Sequence, residues 1–335
     1  MARIGIIANP VSGKDIRRLV ADAHGIDNQQ KANIVRRVLR GIAAVADTQT
    51  ARVTMMPEHA DIRRRAVDGL DLPFPVDVLD IPCRGLPADS REAAQAMAAD
   101  HVDVIVVLGG DGTCRLVAMG CGTVPLLPIS TGTNNVWPKR HEGTLAGLAA
   151  AFVADRRVDE SLACRQTPRL DVIRNDRTVD MALVDVAACD IPVPGARAVW
   201  DISRIHQLVL SHATPGVLGL SAIGGSLPPP SDGHRHGLAI DIGKGGQDVL
   251  APIAPGLVVP VPVTGTRWLA PGERVEITHK PGTLALDGER DTPVGPNDRI
   301  EVALNPQGPF LVDVDLTLEL AAAAGLFTPA AIAEP

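Results

Sequence analysis

The residues with the clearest capacity for chemistry are GGDGT, 109–113, which follow the apolar run VIVVL, 104–108. Glycines allow backbone N–H groups to approach an anion closely, and the N-terminus of the helical pattern that follows favours phosphate. Asp111 would repel a phosphate, so it indicates a magnesium ion or a substrate hydroxyl beside it. A tight turn with Asp111 as a helix cap is the structural alternative. The stretch comprises Gly109, Gly110, Asp111, Gly112 and Thr113.

Two common nucleotide-binding motifs do not fit the chain. NPVSGKD, 9–15, contains a Gly-Lys pair, but a Walker loop needs glycine where Ala8 stands and a hydroxyl where Asp15 stands. A dinucleotide fingerprint starting at Gly110 needs a third glycine at the position of Arg115. The sequence therefore argues against a P-loop enzyme and against a plain NAD-dependent dehydrogenase.

Two further stretches carry polar groups suited to a ligand. STGTNN, 130–135, offers small hydroxyl and amide side chains that suit ribose and phosphate oxygens. TLALDGERD, 283–291, delivers the carboxylates Asp287 and Glu289 around a glycine. If these face Asp111 across a cleft, they suit magnesium binding or general-base work. A β-turn with exposed acidic residues is the alternative for the second stretch.

The elements that must position these groups alternate between strand and helix through residues 1–136. Such alternation predicts right-handed crossovers and a parallel sheet covered on both faces. Ligands bind such sheets at the carboxyl ends of the strands. We therefore expect the stretches 9–15, 109–113 and 130–135 to share one edge of the sheet.

After residue 136 the pattern changes. Strand candidates separated by Gly, Pro and Asn turns predict a mostly antiparallel second domain over 137–305, with one helix near 197–212. The segment 306–335 contains a short amphipathic helix, and we expect it to return to the first domain. The predicted fold class is thus α/β, with a parallel-sheet Rossmann-like N-terminal domain followed by a β-rich one.

Composition excludes several classes of function. A net charge of −7 and 2% aromatic residues argue against binding of nucleic acid. The apolar runs are too short for a membrane span, and the N-terminus lacks a secretory pattern, so a cytoplasmic protein is expected. The five cysteines are an odd number without a Cys-x-x-Cys pair, which indicates reduced thiols. The sequence leaves the oligomeric state open and is compatible with a homo-oligomer.

The remaining candidates have simpler explanations. His234 and His236 have a spacing that can chelate a metal, but no third imidazole lies close in sequence. His206 and His212 are expected at the surface or beside an acceptor. Residues 12–40 carry an excess of Lys and Arg, which a solvated helix face explains and which an anionic ligand would also explain.

The order N-P-x-S-G, G-G-D-G-T, Gly-Thr-x-Asn and D-G-E resembles the superfamily of ATP-NAD kinases and diacylglycerol or sphingosine kinases. The amino-acid sequence of residues 4–37 is most similar to that of the acetoin catabolism protein X subgroup. The resemblance implies a magnesium-dependent kinase whose active site lies between an α/β domain and a β-sandwich domain. ATP and Mg²⁺ would be its cofactors, a small molecule its phosphoryl acceptor, and NAD either a ligand or the acceptor.

Carried over by position, the resemblance assigns roles to particular residues. Asp111 would be the catalytic residue or a magnesium ligand, assisted by Asp287 and Glu289, with Asp287 as a second magnesium ligand. Gly109, Gly110, Gly112 and Thr113 would line the nucleotide phosphates. Further nucleotide contacts would come from Asn9, Ser12, Gly13, Thr131, Gly132, Thr133, Asn134 and Asn135. The chain has no Tyr, whereas NAD kinases hold the dinucleotide with a Tyr-containing segment, so the acceptor stays open. A non-catalytic nucleotide-binding regulator and a lipid kinase are the alternative functions.

Overall fold

The computed structural model describes residues 2–12, 25–46, 50–132, 134–190, 202–231, 233, 236–288 and 290–328, except for the side chains of residues 236, 290 and 291. The helices within these ranges are α1 (Asn28–Val45), α2 (Ile62–Val67), α3 (Ala88–Ala99), α4 (Asp111–Ala118), α5 (Gly143–Ala154), α6 (Glu160–Ala163), α7 (Ser221–Gly225) and α8 (Val314–Ala323). The first nine strands are β1 (Arg3–Ala8), β2 (Arg52–Met55), β3 (Val76–Val78), β4 (Val104–Gly109), β5 (Leu126–Ser130), β6 (Cys164–Gln166), β7 (Arg169–Arg174), β8 (Arg177–Ala182) and β9 (Asp185–Cys189). The others are β10 (Ile205–His212), β11 (His236–Ala254), β12 (Leu257–Trp268), β13 (Arg274–Glu276), β14 (Gly282–Leu286), β15 (Arg290–Val294), β16 (Ile300–Asn305) and β17 (Phe310–Val312).

The first domain is built on a seven-stranded sheet in the order β3-β2-β1-β4-β5-β17-β6. The first five strands of the chain pair in parallel, with β1 and β4 at the centre. All six residues of β4 are buried, as expected for a strand covered by helices on both faces. The predicted parallel-sheet α/β domain is confirmed.

Two hydrophobic clusters cover the two faces of this sheet. One contains the buried faces of α1 and α5, and the other contains residues of α3 and α4. In α1, apolar residues recur at helical spacing, and the Asp27 carboxylate accepts a hydrogen bond from the Gln30 amide while the Gln30 side chain accepts from the Asp27 amide. This capping box fixes where α1 begins.

The second domain consists of two antiparallel sheets. Their orders are β12-β11-β10-β9-β14-β15 and β13-β16-β7-β8. One hydrophobic cluster joins Val172 of β7 and Val302 of β16 to Val186 of β9 and Leu284 of β14, so the two sheets pack face to face. The predicted antiparallel second domain is confirmed, with the layers of a sandwich.

The boundary between the two domains lies later in the chain than the expected residue 137. Helix α5 packs on α1, and β6 and β17 belong to the first sheet. Helix α8 also packs on α5. The change to Gly- and Pro-punctuated strands begins only at β7, so the sequence-based boundary at 136/137 placed α5 and β6 on the wrong side.

The helix predicted over 197–212 is also wrong over its described part. Residues 205–212 form β10, an inner strand between β9 and β11, preceded by a short 3₁₀ turn at 202–204. The segment IHQLVLSH has buried residues on both faces, as a strand inside a sandwich requires. Residues 197–201 lie outside the described residues.

The five cysteines are free thiols, as predicted, and four of them are buried. Burial raises the pKa of Cys121 to about 11. Among the described residues, no helix combines the length and the apolar character that a membrane crossing requires.

Candidate functional site

The GGDGT stretch lies where the parallel-strand rule places it. Gly109 is the last residue of β4 and is aligned with Ser130 at the end of β5. The backbone amide of Asn9, which follows β1, donates to the carbonyl of Leu108 at 3.2 Å. The loops after β1, β4 and β5 therefore meet at one edge of the sheet.

Side-chain hydrogen bonds join these three loops. Nδ2 of Asn9 donates to Oγ1 of Thr113 at 2.9 Å, which links the first loop to the start of α4. The hydroxyls of Ser12 and Thr131 lie 3.0 Å apart, which links the first loop to the third. Four of the predicted nucleotide contacts, Asn9, Ser12, Thr113 and Thr131, thus line one surface, which we call the nucleotide wall.

Lys31 supports this wall from beneath. Its ammonium group donates to the carbonyl oxygens of Asn9 and Ser12 at 2.9 and 2.8 Å and to Oδ1 of Asn28 at 3.2 Å. The side chain is 1% exposed, so its charge is directed at the loop and away from solvent. From the sequence, Lys31 was only one of the many Lys and Arg residues of 12–40. Its position in the first turns of α1, close to the loop after β1, was the feature that could have pointed to this role.

The glycines of the site are required for close packing around Asn135. A Cβ at Gly110 would lie 2.9 Å from Oδ1 of Asn135, and a Cβ at Gly132 would lie 2.8 Å from Nδ2. Nδ2 of Asn135 also donates to Oγ of Ser130 at 2.8 Å. A Cβ at Gly109 would meet Cβ of Thr113 at 2.4 Å. Because each gap is smaller than a methyl group needs, these positions accept only glycine without rearrangement.

Asp111 is buried at the first position of α4, and its carboxylate is bound by backbone. Oδ1 accepts from the amide of Trp137 at 2.8 Å and of Val136 at 3.2 Å, and Oδ2 accepts from Val136 at 3.0 Å. The side chain is therefore fixed in orientation. Asp111 therefore does not act as the cap of its own helix, which was the alternative to a functional role. It instead binds the backbone of Val136 and Trp137, which follow the loop after β5.

The residue before α4 is Gly110, which is extended and has no side chain with which to cap the helix. Backbone amides and the helix dipole together make the N-terminus of a helix favourable for an anion. The donor set at this edge therefore fits the phosphates of a nucleotide.

Asp287 is the second buried carboxylate, at the end of β14. Oδ1 accepts from the amides of Leu183, Val184 and Asp185 at 3.0, 2.8 and 3.3 Å, and Oδ2 accepts from Leu183 at 3.1 Å. Burial raises the pKa of Asp287 to about 6, although Arg115 and these hydrogen bonds lower it. Its backbone is left-handed, with φ 51°, a conformation that Asp and Asn tolerate.

Arg115 connects the two domains beneath these carboxylates. It is 1% exposed, lies on α4, and donates to the carbonyl of Met181 and the carboxylate of Asp180 on β8. Its charge acts on Asp287 as well. Sequence reasoning used Arg115 only to reject a dinucleotide fingerprint, since its contact with β8, 65 residues away, has no local signal.

The third loop also contacts the second domain. Nδ2 of Asn134 donates to the carbonyl of Ile253 on β11 at 3.4 Å. Oδ1 of Asn134 is buried and has no hydrogen-bond partner among the described residues. Asn134 thus presents an unused acceptor at the junction of the domains.

A cavity of about 230 Å³ adjoins the wall on the side of β2 and β3. It is lined by Asn9 from the first loop and by residues that follow β2 and β3, among them Met56, Glu58, His59, Cys83 and Asp89. Sequence reasoning did not nominate these residues, although the carboxyl-end rule applied to β2 would have pointed to them. The cavity extends the candidate site from the phosphate edge across the sheet.

Asp89 is a buried residue in the first turn of α3. Its carboxylate accepts from the amides of Arg84, Gly85 and Leu86, which stabilises the turn before α3. Glu92 of the same helix pairs with Arg84.

Some predicted site residues are not described. Gly13, Thr133, Glu289 and His234 lie outside the described residues, as does the side chain of His236. Of the described candidates, the structure brings together Asn9, Ser12, Gly109, Gly110, Gly112, Thr113, Thr131, Gly132, Asn135 and Asp111.

Comparison with known proteins divides the chain in the same two parts. Residues 4–157 match the model of the ATP-NAD kinase N-terminal domain, and residues 168–307 match that of the acetoin catabolism protein X C-terminal domain. Acetoin catabolism protein X from Cupriavidus necator H16 is 40% identical over 326 residues, which cover 93% of this chain and 90% of that protein. A solved structure of a diacylglycerol kinase from Bacillus anthracis Sterne is 12% identical, with a TM-score of 0.40 and coverage of 92% of this chain and 96% of that one.

Proposed function

The chain belongs to the acetoin catabolism protein X family, and from this premise we propose that it is a magnesium-dependent phosphotransferase that moves a phosphoryl group from ATP to the hydroxyl of a small molecule. The observation that carries the proposal is the hydrogen-bonded wall formed by the loops after β1, β4 and β5 at the N-terminus of α4. The close packing of Gly109 on Thr113, and of Gly110 and Gly132 on Asn135, keeps the loops of this wall together.

In this proposal the nucleotide phosphates contact the first-turn amides of α4, and the side chains of Asn9 and Ser12 order the loop that closes over them. Phosphoryl transfer asks mainly for positioning and charge neutralisation. Lys31, buried beneath the loop, fixes its backbone before the ligand arrives. The phosphate-binding surface is therefore largely preformed.

Asp111 holds magnesium or accepts the proton of the acceptor hydroxyl. Carboxylate oxygens are the donors that magnesium prefers, and a carboxylate has about four lone-pair sites, so three accepted N–H bonds are compatible with a further ligand. When bound, magnesium supplies positive charge to the phosphate oxygens. Asp287, which accepts hydrogen bonds from three backbone amides, acts with Arg115 to fix the second domain against α4. Glu289 is proposed to assist Asp111 in magnesium binding or as a base.

A second function is favoured by one specific observation. Both Asp111 and Asp287 already accept several backbone hydrogen bonds, so each has a structural duty without chemistry. We therefore keep a non-catalytic nucleotide- or NAD-binding regulator as the competing proposal. It predicts nucleotide binding without transfer to any acceptor.

The test combines binding with transfer. Purified full-length protein is titrated with ATP in the presence and absence of Mg²⁺, and radiolabelled ATP is then offered with acetoin, NAD, a short-chain diacylglycerol and a panel of hydroxylated metabolites. Transfer to one acceptor identifies the substrate and separates a small-molecule kinase from a lipid kinase. Tight ATP binding with no labelled product on any acceptor, in the presence of Mg²⁺, supports the regulator and contradicts the kinase.

Asp111→Asn locates the chemistry. Loss of a general base costs roughly 10²- to 10⁴-fold in kcat with little change in ATP affinity, whereas loss of a magnesium ligand raises the Mg²⁺ concentration needed for half-maximal rate. Asp313→Asn is the control, because the Asp313 carboxylate likewise accepts a backbone N–H hydrogen bond but lies outside the site, at the N-cap of α8. Equal kcat in Asp111→Asn and wild type would exclude Asp111 from the reaction.

A further inference from the structure

A cluster of metal-binding groups lies in the second domain, away from the nucleotide wall. Nε2 of His206 is 2.9 Å from Oδ2 of Asp190, and Nε2 of His279 is 2.7 Å from Oδ1 of the same carboxylate. The two imidazole rings stack with centroids 3.8 Å apart and planes 13° apart. One donor atom from each residue lies within 4.8 Å of the other two.

Three adjacent strands converge to build this cluster. Asp190 directly follows β9, which pairs with β10 on one side and with β14 on the other. His206 is the extra residue of a β-bulge in β10, between the pairs Ile205–Cys189 and Gln207–Ala188. Bulges commonly redirect a side chain near a functional site, and this one turns His206 toward the end of β9.

His279 reaches the cluster from the turn before β14. Gly282 makes its approach possible, since a Cβ there would lie 3.2 Å from Cδ2 of His279 and 2.7 Å from the carbonyl oxygen of Cys189. Residues 190, 206 and 279 are far apart in sequence, so only the sheet order brings them together.

The ring nitrogens that face Asp190 are Nε2 of His206 and Nε2 of His279. Nε2 of His206 and Nε2 of His279 are both shielded from solvent, and neither has a hydrogen-bond partner among the described residues. The Asp190 oxygens are close enough to pair with them but lie off the N–H axes of the rings.

We propose that Asp190, His206 and His279 bind a divalent first-row transition-metal ion, with zinc the reference ion. Two imidazole nitrogens and one carboxylate oxygen suit zinc, cobalt, nickel, iron or manganese, whereas magnesium and calcium prefer oxygen ligands alone. Ligand bonds of about 2.1 Å place neighbouring donor atoms roughly 3.0 Å apart in octahedral and roughly 3.4 Å apart in tetrahedral geometry. The N–O distances of 2.9 and 2.7 Å need only small side-chain shifts to meet this spacing.

The ion occupies a site separate from the proposed phosphoryl transfer. Asp185, whose amide binds the Asp287 carboxylate, begins β9, and Asp190 follows its end. Five residues of extended chain span roughly 16 Å at about 3.3 Å per residue. With three protein ligands, the ion keeps at least one open position for water or a ligand group, and it joins the ends of β9, β10 and β14.

The first experiment uses the wild-type full-length chain. The protein is stripped with a chelator, exchanged into metal-free buffer and titrated with ZnCl₂ by calorimetry and with CoCl₂ by visible absorption. We expect one tight equivalent per chain and cobalt bands of the intensity typical of low-coordinate nitrogen and oxygen ligands. Addition of zinc should also shift the ring resonances of two of the nine histidines in NMR spectra. Absence of a stoichiometric binding event overturns the proposal.

The second experiment assigns the ligands. His206→Asn, His279→Asn and Asp190→Asn should each weaken zinc binding by more than the roughly 10- to 100-fold that loss of an outer-shell partner costs. His101→Asn is the matched control, because His101 is exposed and its left-handed φ of 55° suits Asn. Wild-type affinity in the three cluster variants places the ion elsewhere and refutes the assignment. Should a variant fail to fold by circular dichroism, the wild-type histidine resonances decide: perturbation of His206 and His279 supports the site, and perturbation of other rings alone refutes it.

Discussion

The buried carboxylate of Asp287 sets two physical effects against each other. Desolvation raises its pKa, while the Arg115 charge and hydrogen bonds from three backbone amides lower it. With a pKa of about 6 in the folded chain against 3.8 for the unfolded group, desolvation wins. A carboxylate bound by two or three amides without such burial can instead have a pKa below about 2. The direction of the pH dependence therefore reports which effect is larger.

The perturbation is Asp287→Asn, which removes the titration while keeping a residue that tolerates φ 51°. Between pH 3.8 and 6 the folded protein binds a proton at Asp287 that the unfolded chain does not. The contribution of Asp287 to stability is thus complete below the unfolded pKa and is lost as pH rises through the folded pKa. A shift of 2.2 units, the difference between 6 and 3.8, corresponds to about 3 kcal/mol.

The assay is urea unfolding followed by far-UV circular dichroism, at constant ionic strength, for both proteins from pH 4 to pH 7.5. The unfolding free energy of wild type minus that of Asp287→Asn should fall by about 2 kcal/mol across this range, with most of the change below pH 6.5. Titrations elsewhere are common to both proteins and cancel. Asp248→Asn, on the exposed surface of β11, is the control for the effect of replacing any Asp by Asn. A difference that rises with pH would show that hydrogen bonding outweighs desolvation and would refute the reasoning.

Two predictions concern the nucleotide wall. Lys31→Met removes the cation that binds the carbonyls of Asn9 and Ser12, so ATP affinity measured by calorimetry should fall at least tenfold and the free energy of unfolding by about 1–3 kcal/mol. Lys244→Met, on the exposed surface, should change neither quantity. Unchanged ATP affinity in Lys31→Met would show that the loop is ordered without Lys31. Gly110→Ala places a Cβ 2.9 Å from Oδ1 of Asn135, so the Asn135 side chain has to shift. ATP affinity should fall in a protein that still folds, whereas Gly243→Ala, whose Cβ would meet its nearest atom at 3.7 Å, should bind normally. An ATP affinity of Gly110→Ala equal to that of wild type would refute the need for glycine at this position.

The first sheet was predictable because its strands are short apolar runs flanked by helical patterns. The apolar run VIVVL, 104–108, lies within β4, and the carboxyl-end rule places Asn9, Asp111 and Thr131 at one edge of the sheet. Local sequence suffices here, because a parallel sheet converts the order of its loops directly into proximity.

The rest depends on contacts that have no local pattern. Arg115 reaches Asp180 across the domain junction, and Lys31 reaches back to Asn9 from a helix that looks amphipathic and solvated in sequence. The strand at 205–212 was mistaken for a helix because its polar residues, His206 and Gln207, fall together at a bulge and break the two-residue alternation. That same bulge creates the His206 position of the metal cluster, so the failed prediction and the missed site have one physical cause.

The two buried aspartates show how structure and chemistry share the same atoms. Asp111 lies on α4 but binds the amides of Val136 and Trp137, and Asp287 lies on β14 but binds amides at the start of β9. Each carboxylate therefore joins two segments, and Arg115 links α4 to Asp180 of the second domain. Because these contacts need no ligand, the carboxylates are oriented in the free protein, which is the preorganisation that electrostatic catalysis requires. A loss of activity on substitution of either aspartate consequently identifies a catalytic role only when nucleotide affinity and stability are retained.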